Sequence, residues 1–447
     1  MICCRMADQR GSVVERKEYG KSRRQVLPRV DQCHWKASRT RANPLDLLEE
    51  ATRDRVAELL PIRWARMATS PFGFFRGAVP VMAADLASLP TSGITVQICG
   101  DAHVQNLGAF ASPTGALVFD INDFDETFPA SWEWDVKRLA SSLVLAGREA
   151  GDSDSSCKDA VRSFVAEYRK SVARCSELTV VELARYTVHR HMEAGPVLGV
   201  LQKAERSTPQ HALEKLTVED RNGVRHFKEQ KPLLTAVSDK TRREVLAALE
   251  TYHDTLSQER RHFLERYQPA DVAFKVVGTG SVGTRDYIIL CFGNGAEDPL
   301  FLQMKEEPPS AYALYVKAQT PRNQGERVVQ GQRLMQAQSD IFLGWTSMEH
   351  HDYLVRQLSD HKASIEAADL KGHGLIEYAK MCGEVLGKGH ARSGDSCLLA
   401  GYCGGADKLD KAIAEFGVAY ADQTTADYEL FRSAVKKGRI QAAEEIT

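Results

Sequence analysis

The sequence predicts an α+β fold in which a strand-rich stretch, residues 273–358, is set between helix-rich stretches. Three observations predict it. Apolar residues recur at helical spacing through 132–168, 232–265 and 374–437. Short apolar or alternating runs bounded by turn residues cluster at 274–277, 287–290 and 301–304. Gln268-Pro269 interrupts the preceding helical pattern and sets a boundary at 266–272. The expected segments are a basic N-terminal arm at 1–43, a first large part at 44–265, the strand-rich part at 273–358 and C-terminal helices at 359–447.

With 447 residues, 43% of them hydrophobic and 26% charged, the chain is long enough for two or three cores and is not globally disordered in composition. A formal net charge of -2 argues against bulk attraction to nucleic acid or an acidic membrane. The apolar runs at 79–89 and 139–146 fall short of the roughly 20 residues of a membrane span. The N-terminus has charges where a secretory signal needs an apolar run, so cytoplasmic residence is the expectation. Ten scattered cysteines, Cys3 and Cys4 adjacent, suit a reducing compartment, and Cys397 and Cys403 have no partner at zinc-motif spacing.

Taken in order, the arm carries Arg16, Arg23, Arg24, Arg29 and Arg41 and reads as a wrapping arm or a contact for a polyanion. Asn43-Pro44 signals the first helix, with Leu47, Leu48, Val56, Leu59 and Leu60 as its apolar stripe. Strands are expected at 94–98 and 116–121, the second after the turn residues Ser112-Pro113-Thr114-Gly115. Helices follow over 132–145 and around 161–168, and Asn222-Gly223 marks a hairpin. Beyond the strand cluster come a helix at 326–338, a strand at 353–358 and two long helices.

Two acidic runs fall at or just past strand ends, where side chains are held rigidly yet stay open to a ligand. The first holds Asp101, His103 and Asn106; the second holds Asp120, Asp123, Asp125 and Glu126. One acid can act as base, while an Asn oxygen and a second carboxylate can hold Mg²⁺, a hard cation. Burying several like charges is expensive without cations, which favours a functional reading over simple Asx turns. Asp120 either shares a face with Asp123 and Asp125 or braces the loop. His103 either contacts a phosphate or orients Asp101 from behind. Asp135 either anchors the loop or is an ordinary first-turn acid.

Gly278, Gly280, Ser281 and Gly283 form a G-x-G-x-x-G run between two expected strands, which disfavours a dinucleotide fold and suits a hairpin over phosphates. Lys305 ends the next strand within reach of such phosphates, and Glu326 or Glu307 could pair with it. Arg66, Arg76, Arg356 and Lys362 are basic candidates for an anionic substrate, Arg76 the best of them for its aromatic surroundings. Arg322, Arg327 and Arg333 make the 326–338 helix basic.

The runs RMATSPFGFFRG, GDAHVQNLGAF, VFDINDFDET, WEWDVKRLA, VVGTGSVGTRDY, GQRLMQAQSDIFLGW, YLVRQLSDHK and FGVAYADQTTADY resemble a bacterial family of uncharacterised proteins, domain of unknown function 2252. Single elements also resemble protein-kinase-like phosphotransferases such as aminoglycoside and choline kinases. There a G-D-x-H-x-x-N run carries a catalytic Asp and a metal-binding Asn, matched by Asp101 and Asn106. A later metal-binding Asp matches Asp123, and Asp125 stands where protein kinases have Gly. The glycine loop, phosphate lysine and helix-borne Glu of that superfamily resemble residues 278–283, Lys305 and Glu326. Their order in the chain is reversed, which implies circular permutation, with a small lobe at 273–358 and a large lobe from the flanking segments. The resemblance implies a two-lobed fold, ATP and Mg²⁺ as cofactors, and a phosphotransferase acting on an unidentified hydroxyl. The alternatives are a metal-dependent phosphohydrolase using Asp101, His103, Asp120 and Asp123, and an inactive nucleotide-binding or regulatory protein.

Overall fold

The computed structural model describes residues 11–188, 195–358, 363–366 and 370–444. Cys3, Cys4 and Lys362 lie outside the described residues. The fold is a mixed α+β arrangement with separable helical and sheet-rich regions. Among the described residues no helix is long and apolar enough to cross a membrane.

The helical region packs Trp132–Glu149, Asp154–Cys175, His373–Ser393 and Lys408–Lys436 around one core that includes Leu139, Leu143, Phe164, Tyr168, Val385 and Phe416. Trp132–Glu149 has acids in its first turn, Glu133 and Asp135, which suit the positive end of the helix dipole. It is buried on nearly every side. Its polar residues therefore need partners inside the protein, and they supply part of the candidate site.

Asn43 caps the Pro44–Glu50 helix through the Leu45 N–H at 3.0 Å, with Pro44 in the first turn as expected. The stripe 47–60 is not one helix, however: the chain turns after Glu50 and starts again at Leu60–Met67. An earlier helix, Val13–Ser22, also precedes it, set by a Ser12–Glu15 capping box. Its only buried residue is Gly20, so no apolar stripe announces it. It docks on Ser396–Cys403 backbone to backbone: a Cβ on Gly20 would strike the Leu398 carbonyl, and one on Gly401 the Lys17 carbonyl. The arm's arginines close this contact. Arg16 pairs with Asp395 at 3.0 Å, Arg24 and Arg29 donate to the carbonyls of Tyr402 and Cys403, and Arg41 bridges Asp85 and Asp427. These cations are used within the fold, which favours the wrapping arm over the polyanion contact.

The sheet-rich region is a six-stranded antiparallel sheet in the order Gly344–Met348, His351–Gln357, Pro299–Glu306, Asp286–Phe292, Gln268–Lys275 and Leu234–Ala236. The expected boundary at 266–272 falls inside this sheet. Gln268–Lys275 runs through that interval, and the edge strand comes from upstream. Leu234–Ala236 is too short to show a pattern; long-range pairing makes it a strand. The apolar run of Asp286–Phe292 is buried on both faces. Ile289 and Cys291 meet Val245, Ala248 and Tyr252 of the Asp239–His253 helix, whereas Ile288 and Leu290 meet Ala212, Leu213 and Leu216.

Two small sheets carry the acidic runs. Thr95–Ile98 pairs with Phe128–Ser131, and Leu107–Ala111 pairs with Leu117–Ile121 around the turn at 112–115. The sequence pointed to that turn but not to its first arm, because Leu107–Ala111 is rich in small residues. The strand at 94–98 thus takes a partner downstream of the hairpin.

Asp286 lies buried in the sheet, opposite Lys305 in register, with one oxygen accepting from Gln303 Nε2 at 2.6 Å and the other without a partner. Burial, opposed by Lys305, pushes its carboxyl up to about 7. Because the folded value lies above the unfolded one, its stabilising contribution is full below about pH 4 and is lost as pH rises through 7. Asp286→Asn is expected to be more stable than the native chain at pH 8, by on the order of a few kcal/mol, and so to melt at a higher temperature, with the gap closing at pH 4. Paired thermal melts across that range check it; equal melting curves at pH 8 refute it.

Candidate active site

The loop that follows Thr95–Ile98 is held from several sides. Asp135 accepts the Cys99 and Gly100 N–H groups at 2.8 and 2.9 Å, and its third contact is His390 Nε2 at 3.1 Å. His390 in turn meets the Tyr168 hydroxyl at 2.9 Å. Asp135 is therefore the loop anchor. Tyr312 donates to the Gly100 carbonyl at 2.6 Å, and Ser142 accepts the Val104 N–H at 2.8 Å. Gly100 has φ +83°, and a Cβ there would run into the Glu126 carbonyl, so the two acidic loops touch backbone to backbone.

On this frame Asp101 faces a cleft of about 350 Å³, within the usual size range of small-molecule sites. Arg138 Nε donates to its Oδ1 at 2.7 Å, while Oδ2 lies 3.7 Å from His103 Nε2. Burial raises the Asp101 carboxyl above its ordinary value despite Arg138. His103 Nδ1 accepts the Gln105 N–H at 3.2 Å, which leaves the ring proton on Nε2, toward Asp101. Burial, with Arg76 and Arg138 adding to it, holds this histidine neutral. Asn106 donates to the Asp101 carbonyl at 2.8 Å, so its amide oxygen is the atom left for a ligand.

The second acidic run faces Lys305. The ammonium is buried, ion-paired with Asp125, and 4.0 Å from Asp123. Burial alone would depress the ammonium, yet the two carboxylates raise it. Burial likewise pushes Asp125 up, but Lys305 outweighs it and holds the carboxylate low. Asp123 is pushed up by burial and by the charge of Asp125. Ser281 of the glycine loop donates to the same Asp125 oxygen at 3.0 Å.

Three arginines grip the glycine loop by its carbonyls. Arg55 donates to Gly280 and Val282 at 2.8 and 2.7 Å, Arg63 to Thr279 at 3.0 Å and to Gly280, and Arg66 to Gly278. Among the described residues, no hydrogen bond is donated by the N–H groups of 278–283. With carbonyls tied down on one side, the amides are the free polar groups of the loop, an arrangement suited to an anion. Gly278 and Gly283 have φ +60° and +93°, as a tight hairpin requires.

Asp101, His103, Asn106, Asp123, Asp125, Gly278, Gly280 and Ser281 thus line one cleft, with Lys305 beneath it. Gly283 is not among the residues that line it; its carbonyl accepts the Val56 N–H at 2.7 Å. The expected Lys305–Glu326 pair is absent among the described residues. Glu326 is at the start of the Gln324–Met335 helix, capped by Asn323, while its neighbour Arg327 turns inward to the carbonyls of Thr127 and Pro308. Asp120 does not join Asp123 and Asp125: it pairs with Lys388 of the His373–Ser393 helix and braces the strand. Arg356 donates to Gln303 at 3.0 Å and Arg333 to the Leu343 carbonyl, so both serve the fold. Sequence reasoning missed Arg138, Arg55, Arg63 and the burial of Glu307. Asp135 and Arg138, three apart in an apolar helix, share a face, and that spacing was the available signal for Arg138.

Among the described residues no group of three or more His, Cys, Asp and Glu side chains is arranged to hold a metal. The oxygens the cleft does offer a hard cation are those of Asp123, Asp125 and Asn106. Asp125 Oδ1 is buried without a partner, and Asp123 is pushed toward neutrality beside it. A divalent cation would relieve both, so the residues present suit one.

A family profile described as uncharacterized protein conserved in bacteria, DUF2252, matches residues 55–434. The chain belongs to the DUF2252 family. No curated protein and no solved structure matches it. Both acidic loops, the glycine hairpin and Lys305 lie inside the DUF2252 match, as do Arg55, Arg63 and Arg138; the basic arm at 1–43 lies outside it.

Asp135→Ala leaves two loop N–H groups and His390 without their acceptor. A loss of about 3–5 kcal/mol is expected in urea unfolding, as for other broken buried charge networks. A loss under about 0.5 kcal/mol would remove Asp135 as anchor.

Proposed function

We propose that the protein is an ATP- and Mg²⁺-dependent phosphotransferase acting on a hydroxyl of a small molecule or protein. In this reading its scaffold is two-lobed and protein-kinase-like with its segments in circularly permuted order. The six-stranded sheet forms the small lobe and the helical region the large one. One observation carries the reading: Ser281 of the glycine loop and Lys305 of the sheet converge on Asp125, beside Asp101 and Asn106. Stretches some 156 and 180 positions apart in sequence meet at one carboxylate. Proximity in the fold, not chain order, is what the chemistry requires.

Each residue then has a task. Asp101 orients the acceptor hydroxyl with Oδ2, since Arg138 occupies Oδ1, and takes its proton as the oxygen bonds to the terminal phosphorus. The bond from that phosphorus to the ADP oxygen breaks in the same transfer. The raised Asp101 carboxyl makes it a better base than an exposed aspartate. His103, neutral, keeps Asp101 aimed. Lys305 and the free amides of 278–283 hold phosphate oxygens, Lys305 exchanging its Asp125 partner for them. Asn106, Asp123 and Asp125 hold the cation, which when bound neutralises phosphate charge during transfer. Before nucleotide binds, Lys305 is steadied by carboxylates of its own cleft in place of a helix-borne Glu.

Calorimetric titration of ATP with and without Mg²⁺ tests the reading. Lys305→Ala is expected to weaken ATP binding by at least roughly tenfold, and Asp123→Ala to remove its dependence on Mg²⁺. Unchanged titrations in both folded variants would end the proposal. Asp101→Asn is expected to bind ATP normally while ADP formation falls on the order of 10²-fold or more. Phosphate release that is indifferent to nucleotide and to Lys305 would point to a phosphohydrolase. Saturable ATP binding with no transfer would assign the scaffold to regulation.

A further inference from the structure

We propose that Arg76 holds an anionic group of the phosphate acceptor, which makes the acceptor a hydroxyl compound bearing a carboxylate or phosphate. This rests on the phosphotransferase reading and names its substrate class.

Arg76 ends the Pro71–Gly77 helix, whose residues Phe72, Phe74 and Phe75 are buried in the core. Its own side chain lines the cleft with Asp101, His103 and Asn106. Unlike the other arginines of this neighbourhood, it makes no hydrogen bond and no ion pair with any described residue. Arg55, Arg63 and Arg66 hold glycine-loop carbonyls, Arg138 holds Asp101, Arg327 holds Thr127 and Pro308, and Arg356 holds Gln303. The Nε atom of Arg76 is buried with no acceptor. A largely buried guanidinium without a counter-ion is costly in a protein interior, and a cleft is where a ligand supplies the missing charge.

The position selects the acceptor over the nucleotide. The acid that acts most strongly on Arg76 is Asp101, and Arg76 is the cation that acts most strongly on His103. Its carbonyl borders Gly280, so it stands between the glycine loop and the proposed base. Nucleotide phosphates already have Lys305 and the loop amides to meet. On the Asp101 side, where the hydroxyl must sit, Arg76 is the cation left over. The flat guanidinium fork engages a carboxylate or phosphate through two parallel hydrogen bonds, which would fix the hydroxyl's distance from Asp101.

The test is calorimetric titration of inorganic phosphate, glycerate and glycerol into the full-length protein saturated with Mg²⁺ and a non-transferable ATP analogue. Phosphate and glycerate are expected to bind, and glycerol not to. Arg76→Gln should weaken both anions at least roughly tenfold and Arg76→Lys by less, with ATP affinity kept within about twofold. Thermal melts establish that each variant is folded. Anion binding unchanged in Arg76→Gln, or undetectable in the native protein, overturns the proposal. Loss of the phosphate site on saturation with the analogue also overturns it, because Arg76 then serves the nucleotide's terminal phosphate. A native protein that binds no ATP yet keeps an Arg76-dependent anion site would sink the phosphotransferase reading and leave the anion site standing.

Discussion

Lys305 carries its charge in the middle of a sheet, on a strand whose every residue is buried. An ammonium taken out of water costs several kcal/mol unless a counter-charge comes with it. Asp125 and Asp123 are that counter-charge, and they belong to a loop of the helical region, far from the sheet in sequence. The pairing therefore draws the two regions together at one point. Asp125 also takes the Ser281 hydroxyl, so the glycine hairpin is pinned at the same place. Fold cohesion and the candidate chemistry meet in this cluster of charges.

Other buried charges extend this scheme. Asp135 and Arg138 leave the same face of Trp132–Glu149, one fastening the loop backbone at Cys99 and Gly100, the other holding the Asp101 side chain. Arg55, from the turn before Leu60–Met67, and Arg63 and Arg66, from that helix, reach to the carbonyls of the hairpin. Guanidinium groups suit this work because each presents several donors in one plane and stays charged when buried. They also orient the loop: carbonyls bonded to arginine leave amides to face a ligand.

Unsatisfied charge gathers at and beside the cleft, with Asp286 of the sheet a further instance. Asp123 and Glu307 are both pushed up by burial with Asp125's charge added, and Glu307 has neither oxygen satisfied. Arg76 has the opposite problem, a cation without an anion. Unsatisfied charge of both signs around one opening is a pattern found where ligands of both signs are taken. DUF2252 proteins share this stretch of chain, and the cleft gives the family a physical hypothesis that its name does not.

Local signals were legible without coordinates. Periodicity identified the long helices and the apolar strands; Asn43-Pro44 and 112–115 announced a cap and a turn; the acids after strand ends and the G-x-G-x-x-G hairpin identified candidate residues that now line one cleft. Those properties depend on neighbours a few positions away, which is all a single sequence displays. Leu234–Ala236 and Leu107–Ala111 became strands only through partners distant in the chain, and Val13–Ser22, with no apolar stripe, gained its place from two glycines that let backbones touch. Partner choice among charges was likewise decided in three dimensions. Lys305 took Asp125 and not Glu326, and Asp120 took Lys388, because a buried charge pairs with whatever opposite charge the packing brings within reach.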